Sequence, residues 1–167
     1  MNNRKHLILV AVVILVGVTL SAQSIPNLTI TRMDRSETTL KEYLRTGPVM
    51  INFWSLTCAP CKREMKHLDR FARQYRSQGF DVISINIDSP KSLGRVRGFV
   101  QSRDYAFPVF LDPRQEIFRK LGGRVMPYSV FVNEDGTIES KHVGYAPGDE
   151  KKYQKIITEM LSSTSEQ

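Results

Sequence analysis

Two cysteines, the only ones in this 167-residue sequence, stand three positions apart in Cys58-Ala59-Pro60-Cys61. They sit where an apolar run gives way to an amphipathic one. If the second segment is a helix, Cys58 lies just ahead of its first turn and Cys61 inside it, and the sulfurs can approach bonding distance. Cys58 then faces the unpaired N–H groups and the positive end of the helix dipole, which stabilise a thiolate. Such settings lower a cysteine pKa from about 8.5 to around 7, and in the extreme to ~3.5. Lys62 and Arg63 add positive charge nearby. Cys61 falls on the buried side of the helix and suits the resolving thiol, which attacks a mixed disulfide formed at Cys58. Pro60 fits a first turn, where a missing N–H costs little. The pattern points to thiol–disulfide exchange.

Three other uses of the pair compete. A purely structural disulfide this short removes little chain entropy. A zinc half-site would need His67 or His142 to complete it, yet no second CxxC exists and zinc sites usually take four ligands in recognisable pairs. Two inert core cysteines are the last alternative. No metal and no cofactor are expected.

The elements that must position the pair emerge from periodicity. Val49 to Trp54 (VMINFW) and Phe80 to Ile87 (FDVISINI) are continuous apolar-rich runs, as strands buried on both faces of a sheet read. Between them, Ala59 to Gln78 is helical, with Cys58, Cys61, Met65, Leu68, Ala72 and Tyr75 on one stripe and Phe71 beside it, closed by Gly79. A strand at Leu28 to Arg32 and a brief helix at Thr39 to Leu44 precede them. A helix at Ser92 to Arg103, a strand at Val109 to Leu111 and a helix near Gln115 to Leu121 come after. Tyr128 to Val132 and Thr137 to Val143 form a hairpin across Asn133-Glu-Asp-Gly136, and Asp149 to Leu161 is the last helix. The class is α/β with a mixed sheet.

Residues 1–22 read as a signal peptide or signal anchor. Arg4, Lys5 and His6 precede an uncharged apolar stretch over 7–20. Ala22 could end a cleaved signal, although Leu20 is large for that pattern, and membrane association would run through residues 7–22. The positive-inside rule puts the rest of the chain in the periplasm or on the outer face of the cytoplasmic membrane. The remainder, 23–167, suits one domain with a core of its own. Two cysteines are too few for a disulfide scaffold. The net charge of +7 spreads over helix faces without interleaved aromatics, which argues against nucleic acid.

The stretch NFWSLTCAPC at 52–61 resembles the NFW-x-x-W-C-x-x-C strand of the TlpA-like thioredoxins, exported thiol–disulfide oxidoreductases. The resemblance runs from about Leu28 to Leu161. It implies a thioredoxin-like fold, a mixed central sheet flanked by helices, with an N-terminal strand and helix extension and a central insert around Phe99 to Leu121. It further implies a cis Met126–Pro127 bond against the sulfurs, with Trp54, Met126 and Pro127 binding substrate. Thr57 departs from the family by replacing the aromatic before the first cysteine, which leaves a more polar rim. Where many members carry a glutamate after the second core strand, this chain has Asn86-Ile87-Asp88-Ser89. Asp88 is there either a proton acceptor for Cys61 or, with Ser89, a helix cap. The proline loop lacks the Gly-x-Pro-Glu pattern of dedicated cytochrome c maturation reductants.

The favoured function is a cell-envelope oxidoreductase that reduces exported protein disulfides through transient mixed disulfides and is recharged by a membrane electron donor. A peroxiredoxin-like thiol peroxidase would want a proline and a threonine where Ile51 and Ser55 stand. A non-catalytic binding module using the groove beside Pro127 would need no second thiol.

Overall fold

The structure, a computed structural model, describes residues 23–164, so the leader expected over 1–22 lies outside the described residues. The chain is organised around β3 (Val49–Trp54), whose six residues are all buried. It pairs in parallel with β4 (Asp81–Asn86) on one edge and antiparallel with β6 (Tyr128–Val132) on the other. With both edges paired and both faces covered, its run of apolar residues is what burial demands. Outward from this centre lie β5 (Val109–Leu111), β1 (Thr29–Arg32) and β2 (Glu37–Thr39) on the β4 side, and β7 (Ile138–Val143) beyond β6. The seven strands make one mixed sheet in the order β2-β1-β5-β4-β3-β6-β7.

Strand alternation divides the core into two layers. Val49, Ile51 and Phe53 face a cluster with Leu40 and Leu44 of α1 (Leu40–Leu44) and Ile117 and Phe118 of α4 (Glu116–Lys120). Met50 and Trp54 face the cluster shared by α2 (Ala59–Tyr75), α3 (Leu93–Gln101) and α5 (Asp149–Thr164). The helix expected to reach Gln78 loses its α-helical form at Tyr75 and finishes as a 3-10 turn over Arg76–Gln78. Among the described residues no helix is long and apolar enough to cross a membrane.

The departures from expectation are local. Strand β2 is absent from the sequence-based expectation, because Glu37–Thr39 is short and polar and has no periodicity of its own. It forms because Asp34 accepts hydrogen bonds from the Ser36 backbone N–H at 2.8 Å and hydroxyl at 2.7 Å, turning the chain back along β1. Thr39 is thereby paired with Thr29, and α1 begins one residue later than expected. The hairpin carries an irregularity between Phe131 and Val132, and β7 starts at Ile138 instead of Thr137.

At the turn into β3, Gly47 has φ +131°, and a Cβ there would run into the Gly79 carbonyl oxygen. A Gly47→Ala variant is therefore expected to lose about 1–3 kcal/mol of stability in urea unfolding, with an unchanged m-value. An unaltered midpoint would show that the turn relaxes freely.

Candidate functional site

The end of β3 and the start of α2 are held as one junction. Trp54 accepts a 3.0 Å hydrogen bond from the Ile87 N–H, which ties the last residue of β3 to the chain leaving β4. Asp88 reaches across the same gap. Its Oδ2 accepts from the Leu56 N–H at 2.8 Å and from the Asn86 side-chain amide at 2.8 Å. Asp88, weighed from sequence as a proton acceptor for Cys61 or a helix cap, here holds the loop that leads to the cysteines.

Cys58 is the N-cap of α2, in extended conformation at φ −82° and ψ 98°. Its backbone donates to the Ser55 carbonyl at 3.2 Å. Its Sγ accepts from the Cys61 N–H at 3.2 Å, so the sulfur takes the place of the usual capping oxygen. Pro60 lies in the first turn, where no N–H is missed. Cys58 and Cys61 are joined as a disulfide with Cα atoms 5.3 Å apart. Cys58 is half-buried whereas Cys61 is wholly buried.

The Met126–Pro127 bond is cis and leads directly into β6. Met126, Leu56 and Cys58 pack against the same core cluster as Trp54, and Met126 also packs against the cluster on the other face of the sheet. Val125, just before it, is 60% exposed. Trp54 has no exposed surface, and its ring supports Phe99 from within, with centroids 5.4 Å apart. The indole N–H of Trp54 has no partner among the described residues.

Sequence reasoning misses Glu64. It lies one helical turn beyond Cys61 and is completely buried. Its carboxylate accepts from the Tyr153 hydroxyl at 2.8 Å, the Asn52 amide at 2.9 Å and the Ser129 hydroxyl at 3.1 Å. Burial pushes its pKa up to about 7, even though the hydrogen bonds from Tyr153, Ser129 and Asn52 pull the other way. Tyr153 is driven above the ordinary tyrosine range by its own burial and by the neighbouring Glu64 charge. A signal is present in the sequence: a glutamate falls among Cys61, Met65 and Leu68 on the apolar stripe, where a charged residue is almost never buried without partners.

The two histidines weighed as zinc ligands have other neighbours. His67 Nδ1 lies 2.7 Å from the Arg70 guanidinium, and His142 Nε2 lies 3.2 Å from Asp149. Among the described residues no three His, Cys, Asp or Glu side chains gather as a metal site.

The sequence profile described as Redoxin matches residues 20–157. A thiol-disulfide oxidoreductase ResA from Bacillus thuringiensis subsp. konkukian is 29% identical over 134 residues, covering 80% of this chain and 76% of that protein. A second ResA, from Halalkalibacterium halodurans, is 33% identical over 96 residues, 58% of this chain. The match spans about half of that relative, 53% of its length. Among solved structures, a Chlorobium tepidum protein designated a thiol:disulfide interchange protein DsbE superposes with a TM-score of 0.77 at 24% identity, covering 84% of this chain and 96% of its own. That last likeness is one of fold.

The raised Glu64 pKa has a definite consequence for stability. Below the unfolded value of 4.5 both states hold the proton, and between there and about 7 only the folded state does. Stability therefore falls as pH rises through this window, by as much as about 3 kcal/mol. Urea unfolding of the oxidised protein across the window should show this fall, and Glu64→Gln should flatten it. Parallel pH profiles for the two proteins would contradict the assignment.

Proposed function

This chain belongs to the Redoxin family, and from that premise we propose that it is a cell-envelope thiol–disulfide oxidoreductase that reduces disulfides of exported proteins. The observation that carries the reading is the Cys58–Cys61 pair at the N-terminus of α2, Cys58 half-buried and Cys61 wholly buried. In the reduced enzyme, the Cys58 thiolate attacks one sulfur of the substrate disulfide. A bond forms between Cys58 and the substrate, and the other substrate sulfur leaves as a thiolate that takes up a proton. Cys61 then gives its proton to Glu64 and attacks the Cys58 sulfur. The Cys58–Cys61 disulfide closes, the second substrate thiolate departs, and two electrons have passed to the substrate. Met126 and Pro127 line the approach to Cys58, Trp54 supports it from below, and Asp88 fixes the loop that carries it.

The reducing direction is the one that the family resemblance suggests, and in this reading Glu64, buried one turn from Cys61, takes the proton of Cys61 when the disulfide closes. The composition of residues 1–22 supports export with the domain facing outward, and a membrane dithiol as electron donor is the partner that the family resemblance suggests. Disulfide-bonded apocytochrome c is one substrate of this kind, the use that the family resemblance suggests.

Equilibration with dithiothreitol and glutathione buffers tests the reading, with the fluorescence of Trp54, the sole tryptophan, as reporter. The midpoint should fall nearer thioredoxin's ~−270 mV than the periplasmic oxidant's ~−120 mV. A midpoint near ~−120 mV would reverse the direction, and a pair that does not respond to either buffer would remove the function.

A further inference from the structure

The disulfide has a cationic flank that the exchange chemistry leaves unused. Phe99 of α3 rests on Trp54, and two cations are laid on its ring: Lys62 Nζ 5.3 Å and Arg103 Cζ 5.2 Å from the centroid. Lys62 follows Cys61 in the chain, and its backbone N–H donates to the Cys58 carbonyl at 3.3 Å in the first turn of α2. The ring contacts bias both side chains toward this position, which lowers the freedom to be lost when a partner arrives.

Neither cation is neutralised. Among the described residues, Lys62 and Arg103 form no ion pair with a carboxylate, and neither do Arg63 and Lys66, which lie exposed on the same end of α2. The nearby acids are otherwise engaged or few. Glu64 is buried, Asp88 is taken up by Leu56 and Asn86, Asp69 is bound to Arg73 and the Ala106 N–H, and Asp104 is exposed beside Arg103. The residue before the disulfide, Thr57, is polar and exposed and offers no aromatic face for an apolar partner. Charge is therefore the feature by which this flank can discriminate among substrates.

We propose that Lys62 and Arg103, displayed on Phe99, select protein disulfides flanked by acidic side chains. The inference rests on the exchange reading above and adds the substrate class to it. A carboxylate beside the target cysteine is attracted to these two cations as Cys58 reaches the sulfur. Two pairs of this kind, one at a half-buried and one at an exposed cation, amount to a preference of about three- to tenfold.

The test uses the dithiothreitol-reduced protein and three synthetic peptides that share one intramolecular disulfide core, flanked by Glu, Ser or Lys residues. Reduction of the same peptides by dithiothreitol alone corrects for their intrinsic reactivity. The corrected rate should be highest for the Glu peptide and lowest for the Lys peptide. The difference should collapse in ~1 M salt, where the screening length is about 3 Å. Lys62→Glu/Arg103→Glu should invert the order, and Lys62→Gln/Arg103→Gln, the milder variant, should erase it. Ratios between peptides cancel any change the variants make to the Cys58 thiolate itself. Equal corrected rates for all three peptides overturn this inference and leave thiol exchange standing, whereas failure to reduce any of them removes the exchange reading as well. Ratios unchanged in the variants, together with lost binding to phosphatidylglycerol vesicles, would assign the flank to a membrane surface and likewise overturn the proposal.

Discussion

The rest of the structure depends on the meeting of one sulfur with the open end of one helix. The first N–H groups of α2 have no intrahelical partners, and the Cys58 sulfur stands where a capping oxygen would, 3.2 Å from the Cys61 N–H. Each surrounding feature keeps that arrangement in place. Strand β3 ends where it does because it is paired on both edges, Ile87 and Asp88 hold the chain that leaves it, and Pro60 suits the first turn. Met126, which precedes the cis bond at the head of β6, packs against the same cluster.

Glu64 gives this junction a second constraint from below. A buried carboxylate without partners would be severely destabilising, and this one is met by donors from β3, β6 and α5. The network therefore ties the helix carrying the cysteines to the sheet and to the last helix of the chain. Desolvation still outweighs those hydrogen bonds and pushes the pKa of the group up to about 7. The same side chain ties three elements together and, in the proposed exchange, takes the proton of Cys61.

Much of the fold is legible in the sequence because burial on both faces leaves an unbroken apolar run. Val49–Trp54 and Tyr128–Val132 have the same bounds in sequence and structure, and the α2 stripe is visible in its period. The cysteine pair stands out by spacing, and the proline loop by resemblance. Strand β2 does not, since its three polar residues are extended only through their partners in β1. Glu64 escapes for a related reason: periodicity marks where apolar residues recur, while its partners Asn52, Ser129 and Tyr153 lie 12, 65 and 89 positions away. Asp88 is conspicuous by its place in the chain, yet its role in the structure comes from the orphan Leu56 N–H across the gap.

One titration addresses the central claim most directly. In the reduced protein, the rate of iodoacetamide alkylation at Cys58 should rise with a midpoint a pH unit or more below the free-cysteine value of about 8.5, while Cys61 stays unreactive until higher pH. A Cys58 midpoint at about 8.5, or equal reactivity of the two thiols, would mean that the start of α2 does not stabilise the thiolate and that the proposed exchange chemistry has lost its nucleophile.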